Sequence, residues 1–390
     1  MEEIKVFSMF VGYGGDTWAL QLAGIPHEVV GYSEINDSAI QCYNQNHNKD
    51  KKIKNYGDCS LIEPKDLPDF NLLTGGFPCP SFSIQGKREG FEDDRGKLFF
   101  DIIKIAKVKQ PEYMILENVK GIVSHDNGRT LNRVLNELRK IGYDVAYKVL
   151  NSKDYGIPQN RERIWFVCKL GKWDFMEFMF PEKETLKLKV WDLLENDVSD
   201  KYNLTEKQIA FITDEKRQKK RYTQINGQVA LCQTGRQYAN WNGNFVADYR
   251  VDEGLRIRRD GCSPCLKEQL RPPQQDSPSN RIIIHSMQPR SEDRPSFKKA
   301  REEGKPYPGG YGHLKREDGL SYCLDTGVSQ SLQVNERYRQ LTPRECFRLM
   351  GFLNDEINID GIADSKLYKL VGNGWDINLV SKIFKGLYRK

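Results

Sequence analysis

The stretch Gly76-Phe77-Pro78-Cys79-Pro80 sets one cysteine between two prolines, directly after an apolar run over residues 70–75. Proline fixes its own φ and has no N–H. Pro80 also biases Cys79 away from helical dihedrals. The spacing therefore predicts an extended segment just past a strand end, where open α/β sheets bind their ligands. A thiol held there is a candidate nucleophile. The competing reading is an ordinary buried cysteine, the commoner fate of a free thiol. Two further segments add weight to the nucleophile. Residues 113–119 form a buried-strand pattern that carries Glu117-Asn118-Val119 at its end. Gln159-Asn160-Arg161-Glu162-Arg163 leads into a strand over 164–167. Arg161 and Arg163 are two apart, so on an extended chain they share a face. Alone, Glu117 could be a strand-end carboxylate and the arginines a solvated edge. Together they supply a thiol, a carboxyl acid and fixed cations at predicted strand ends.

The elements that must position these groups start at the N-terminus. A strand over 4–10 is followed by the glycine loop Val11-Gly12-Tyr13-Gly14-Gly15, then by a helical pattern over 17–23 that Gly24 ends. A second strand over 29–33 ends in Glu34. A carboxylate about 20 residues after such a loop suits an acceptor for a ribose hydroxyl. The loop alone fits a nicotinamide dehydrogenase as well as a methyltransferase. Asp16, directly after it, would repel a diphosphate, whereas S-adenosylmethionine has no phosphate and carries a positive sulfonium. Charge thus favours the methyl donor.

Up to about residue 180, apolar strands alternate with helical patterns, which predicts a parallel sheet covered on both faces. The clearest helices are 98–106 and 130–138, by apolar spacing. Beyond Pro181 the pattern predicts helices over 190–194 and 205–219, the latter capped by Thr205. Residues 222–334 lose helical periodicity and are rich in Gly, Pro, Arg, Asn and Ser. This stretch holds an internal repeat, residues 258–266 against 316–324, which suggests a two-lobed β-rich module. Chance similarity between two Asp-Gly turns is the alternative. Cys262 and Cys265 lack the second close pair of a zinc site, so no metal is expected. Helical patterning returns at Thr342-Pro343 and again over the last residues.

The chain has 390 residues, 38% hydrophobic, with a net charge of +6, enough for two domains. No apolar run reaches the roughly 20 residues of a membrane span. The acidic start does not resemble a signal peptide, and nine scattered cysteines suit a reducing cytoplasm. Positive charge clusters at 216–221 and at Arg256, Arg258 and Arg259. Such runs are solvated faces or, in an enzyme acting on DNA, phosphate contacts.

The Pro78-Cys79, Glu117-Asn118-Val119 and Gln159-x-Arg161-x-Arg163 signatures, in this order, resemble the DNA cytosine-5 methyltransferase family. The resemblance covers residues 1–180 and 338–390. It implies a Rossmann-like α/β S-adenosylmethionine-dependent methyltransferase sheet with a smaller β- and loop-rich target-recognition domain. The implied domains are 1–185 and 338–390 for catalysis and cofactor binding, and 186–337 for target recognition. Implied cofactor contacts are Phe10, Gly12, Gly14 and Gly15 in the loop, Glu34 for the ribose, Asp58 for the adenine, and Pro78, Leu98, Asn373 and Trp375. Trp375 stands where the family usually has a small aliphatic residue. Its indole would either face the sulfonium or pack under the last helix. Implied catalytic groups are Cys79, Glu117, Arg161 and Arg163. The Cys79 thiolate adds to C6 of a flipped-out cytosine, the arginines favour the thiolate, and Glu117 as a neutral acid donates to N3. The stretch 85–90 resembles a closing loop, and Ser83, Gln85, Arg258 and Arg259 are the expected DNA contacts. Expected partners are S-adenosylmethionine and double-stranded DNA, with no membrane, for a monomer in the cytoplasm. The role is open between restriction-modification with a separate cognate endonuclease and an orphan or phage methylase. An RNA cytosine methyltransferase and a catalytically idle DNA-binding protein are the rival readings.

Overall fold

The computed structural model describes residues 3–77, 94–174, 177–214, 223–238, 242–248, 283–286, 314–316, 330–333 and 337–388. Six strands form its main sheet: β1 (Ile4–Met9), β2 (His27–Ser33), β3 (Leu72–Gly76), β4 (Tyr113–Val119), β5 (Tyr143–Asn151) and β7 (Glu162–Leu170). A two-residue strand, β6 (Gln159–Asn160), precedes β7. The order across the sheet is β2-β1-β3-β4-β7-β5.

The strands alternate their side chains between two cores, as a pleat buried on both faces requires. Val6, Leu72, Ile115, Trp165 and Val167 enter one core. Their neighbours Phe7, Leu73, Met114, Leu116, Phe166 and Cys168 enter the other. The first core is closed by α1 (Gly15–Ala23) and the C-terminal helix α8 (Ile377–Leu387), through Ala19, Leu20, Val380, Ile383 and Phe384. The second is closed by α3 (Asp94–Lys109) and α4 (Arg129–Lys140), through Ile102, Ile105, Val134 and Leu138.

β1 to β4 pair in parallel, as expected. β7 departs from the expectation of a parallel sheet: it runs antiparallel to both β4 and β5. The connection from β5 to β7 holds only a short turn and β6. A parallel return needs a crossover of a dozen or more residues, usually a helix, and this segment contains none.

The helix expected over 205–219 stops early. α5 spans Glu206–Ile212, with Thr205 and Gln208 in a capping box. The expected helix at 190–194 is a 3-10 turn, Val190–Leu193. α2 (Asp37–His47), α6 (Pro343–Arg348) and α7 (Asp364–Asn373) complete the helices used below. α6 opens as the sequence predicts: Pro343 is its first residue and the Thr342 hydroxyl accepts from the Glu345 N–H at 3.2 Å.

The chain divides into two compact units, Met1–Val246 with Gln340–Lys390, and Ala247–Arg339. The first also contains β8 (Thr223–Ile225), β9 (Ala230–Leu231) and the start of β10 (Gly243–Asp248). β9 pairs in parallel with β6, and β10 with β8. The second contains β11 (Ile283–Ser286), β12 (Leu314–Arg316) and β13 (Gln330–Gln333), an antiparallel sheet with β11 central. Among the described residues no helix is long and apolar enough to cross a membrane.

Candidate active site

After β1 the chain builds β2 on one side and later β3 on the other, so a switch point lies at the carboxyl ends of β1 and β3. Open α/β sheets bind ligands in that crevice. A cavity of about 1590 Å³ lies there. It brings together Phe10, Gly12, Gly15, Glu34, Asp58, Leu98, Glu117, Arg161, Arg163, Asn373 and Trp375, which the sequence had singled out from distant segments. Gly14 is turned away from it. Gly14 caps α1 at φ 82°, and a Cβ there would come within 2.6 Å of the His47 ring. Desolvation pushes the half-buried His47 imidazole down to about 3.

The glycine loop turns sharply. Gly12 has φ 57°, and Phe10, with the same φ, holds a left-handed conformation that a bulky residue rarely adopts. Backbone N–H groups organise the acids beside it. Glu34 accepts from Gly12 at 3.0 Å and from Ile35 and Asn36 at 2.9 Å each. Asp58 accepts from the Ser60 N–H at 2.9 Å and the Ser60 hydroxyl at 2.8 Å. Asp16, buried at the cavity floor, accepts from the hydroxyls of Ser8 on β1 and Thr74 on β3 at 2.5 Å each. This end of the cavity thus carries three carboxylates and the apolar surfaces of Phe10, Val11 and Leu98. That donor set fits an uncharged adenosine joined to a sulfonium, and would repel a diphosphate.

Across the crevice, Glu117 sits near the end of β4, opposite Gly76 on β3 and Trp165 on β7. It is 7% exposed. Its Oε1 meets Arg163 Nε at 2.8 Å. Burial raises the carboxyl above its ordinary value, and the guanidiniums of Arg163 and Arg161 offset only part of that rise. The site therefore retains a proton on Glu117 more readily than water would, with a cation beside it to receive the carboxylate once the proton leaves.

The alternating residues of the Gln-x-Arg-x-Arg stretch share one face but have different partners. Gln159 is fully buried; its Nε2 donates to the Leu349 carbonyl at 2.6 Å and its Oε1 accepts from the Gln233 N–H at 3.0 Å. Arg161 donates to the carbonyls of Gln233 at 3.0 Å, Gly372 at 3.2 Å and Gly374 at 2.7 Å. Arg163 holds Glu117. Only the last arginine thus touches the acid, while Arg161 ties the 231–235 segment and the C-terminal loop to the sheet. Asn118 has a similar local role: its Nδ2 donates to the Phe77 carbonyl at 3.3 Å, at the residue before Pro78.

Sequence reasoning missed Cys232. Its sulfur lies 3.6 Å from Arg161 and 3.7 Å from Arg163, at the cavity wall. Burial alone would raise the thiol, but the two guanidiniums outweigh burial and lower it. Nothing in the local pattern around Cys232 marks it, because its neighbours come from a strand seventy residues earlier in the chain. Pro78, Cys79, Ser83, Gln85, Arg258 and Arg259, the Cys262/Cys265 pair and both copies of the repeat except Arg316 lie outside the described residues.

This sheet, with its glycine loop at the switch point and its antiparallel β7, is the Rossmann-like sheet of S-adenosylmethionine-dependent methyltransferases. Within that class the chain belongs to the C-5 cytosine-specific DNA methylase family, whose model matches residues 4–389. It is 32% identical to the orphan methyltransferase M.SPRI of Bacillus phage SPR, over 99% of this chain and 98% of that protein. It is 45% identical to the type II methyltransferase M.NgoBI of Neisseria gonorrhoeae, over 50% of this chain and 58% of that one. Its fold is similar to the solved structure of a Spodoptera frugiperda DNMT2 mutant, with a TM-score of 0.64 at 17% identity, covering 99% and 100% of the two chains. Membership makes this chain a DNA (cytosine-5)-methyltransferase and implies a methyl donor of the S-adenosylmethionine type.

Proposed function

We propose that the chain methylates C5 of a flipped-out cytosine in double-stranded DNA, through a covalent bond between Cys79 and C6. The observation that carries this reading is the buried Glu117 held by Arg163 across the crevice from the glycine loop. C5 of cytosine is a weak nucleophile. Addition of the Cys79 thiolate to C6 turns the ring into an enamine with electron density at C5, provided N3 is protonated as the electrons move. Glu117 supplies that proton and Arg163 stabilises the carboxylate left behind. When bound, S-adenosylmethionine provides an electrophilic methyl group for C5. Phe10, Gly12, Gly15, Glu34, Asp58, Leu98 and Asn373, which line the cavity, would hold it. A water-relayed base then takes the C5 proton, the C6–S bond breaks to release the Cys79 thiolate, and N3 returns its proton to the Glu117 carboxylate, which restores the ring. Arg133, Arg236, Lys366 and Lys369 line the same cavity and suit phosphates of an approaching strand.

Residues 186–337 are the proposed target reader. The chain acts as a monomer in the cytoplasm, as part of restriction-modification or as an orphan methylase. Transfer of labelled methyl groups from S-adenosylmethionine to duplex DNA, with RNA as control, tests the substrate. Cys79→Ala should abolish transfer and also the denaturation-resistant adduct with DNA containing 5-fluorocytosine. Turnover by that variant would sink the covalent mechanism.

A further inference from the structure

Glu117 has a second polar neighbour that its motif does not supply. Besides Arg163, the indole nitrogen of Trp375 stands beside its carboxylate and favours the charged form. The contact is possible because β3 carries a glycine opposite Glu117. A Cβ on Gly76 would lie 2.8 Å from Trp375 Nε1 and 3.1 Å from Glu117 Oε2. The indole therefore reaches over bare backbone to the oxygen side that Arg163 Nε, bonded to Oε1, leaves open.

The indole is itself fixed. It meets Trp165 edge to face, with centroids 5.0 Å apart and planes at 76°. Its backbone carbonyl accepts a hydrogen bond from the Tyr13 hydroxyl. Gly15 permits close approach, since a Cβ there would be 3.0 Å from Trp375 Cβ. Trp375 is 8% exposed and lines the cavity.

We propose that Trp375 is a positioning residue for the proton transfer: with Arg163, it holds the Glu117 carboxyl in one orientation and stabilises the carboxylate that remains after the proton has moved. The proposal rests on the reading of Glu117 as the proton donor. In that step the Glu117 O–H bond breaks, its electron pair stays on oxygen, and the N3 lone pair of cytosine takes the proton. Indole N–H is a donor only, so it lowers the cost of the carboxylate without adding charge or competing for the proton. Among the described residues, the ionisable groups around Glu117 are Arg163 and Arg161, with Cys232 beside both arginines and Tyr13 in the glycine loop. All of them remain when the indole is replaced.

The test measures methyl transfer to duplex DNA against pH for wild type, Trp375→Phe and Glu117→Gln. Trp375→Phe keeps an aromatic face and removes the N–H. We expect kcat to fall about 10- to 100-fold, the usual worth of a hydrogen bond to a charged group, while KM for S-adenosylmethionine changes little. The alkaline limb of the kcat profile should move to higher pH, because the ionised acid has lost a donor. Benzothienylalanine placed at position 375 keeps the shape of the indole without its N–H, and decides the matter if the Phe variant folds poorly. Wild-type kcat and an unmoved limb in the isostere, with Glu117→Gln inactive, would overturn the role of Trp375 and leave that of Glu117 standing. Near-wild-type turnover in Glu117→Gln would instead remove the acid, and this proposal with it. A selective rise in KM for the sulfonium ligand, with an unmoved limb, would assign Trp375 to the cofactor and overturn the positioning role.

Discussion

At the scale of single residues, the site pairs an acid that must be neutral with cations that favour its charged form. Burial of Glu117 is the larger influence. Methyl transfer in which Glu117 donates a proton needs the protonated form, which is lost as pH rises through its raised pKa. The Cys79 thiolate is lost as pH falls. The kcat/KM profile should therefore be bell-shaped, with its alkaline limb above the ordinary carboxylate range. Glu117→Gln keeps the size of the side chain and removes the acid. A loss of roughly 10²–10⁴ in rate is expected, with the alkaline limb abolished and affinity for S-adenosylhomocysteine little changed in a calorimetric titration. A rate within a few-fold of wild type would count against the acid. Arg161 differs from Arg163 in kind. Its guanidinium is committed to three backbone carbonyls, so its substitution should lower thermal stability along with activity.

At the scale of elements, the start of α8 is the sensitive point. Asp376 caps this helix, accepting from the N–H groups of Asn378 at 3.0 Å and Leu379 at 3.2 Å. It is almost fully buried, and desolvation pushes its carboxyl up to about 6. A carboxyl raised in the folded state binds more protons there than in the unfolded chain. Its contribution to stability is therefore largest below its unfolded pKa and declines as pH rises to about 6. Asparagine caps as well as aspartate and does not titrate. Asp376→Asn should gain up to about 3 kcal/mol relative to wild type as pH rises from 4 to beyond 6. Urea melts of both proteins across that range measure the difference, and parallel pH slopes would rule the effect out. The same helix packs its apolar face on α1, so the cap bears on the glycine loop as well as on the C-terminus.

At the scale of the whole molecule, the main sheet comes from residues 4–170 and one of its cores is closed by the C-terminal helix, with the second unit, Ala247–Arg339, inserted between them in the chain. If residues 186–337 read the target, grafting them into a related methylase should move the methylated site with them, as bisulfite sequencing of modified DNA would reveal. A graft that keeps the recipient's site would place the reader elsewhere. Substituting Arg258 or Arg259 should weaken DNA binding, and a salt slope reduced by about one per residue would mark a phosphate contact.

The motifs of the family and most of the sheet were legible in the sequence because they are local properties. Apolar runs of four to six residues ending in Gly76 and Glu117 had to be buried strands, and the glycine loop had to turn where Cβ atoms leave no room. The charge of Asp16 told against a diphosphate before any fold was known. The direction of β7 was not legible from apolar patterning, because a strand buried on both faces reads the same in either direction; the short link from β5 decided it. Nor could spacing tell Arg161 from Arg163. They share a face, and only packing sends one to the carbonyls of Gly372 and Gly374 and the other to Glu117. Cys232 and Trp375 reach the same cavity from segments far apart in the chain. Contacts of that kind arise when a sheet is closed by its own C-terminus, and tertiary structure alone determines them.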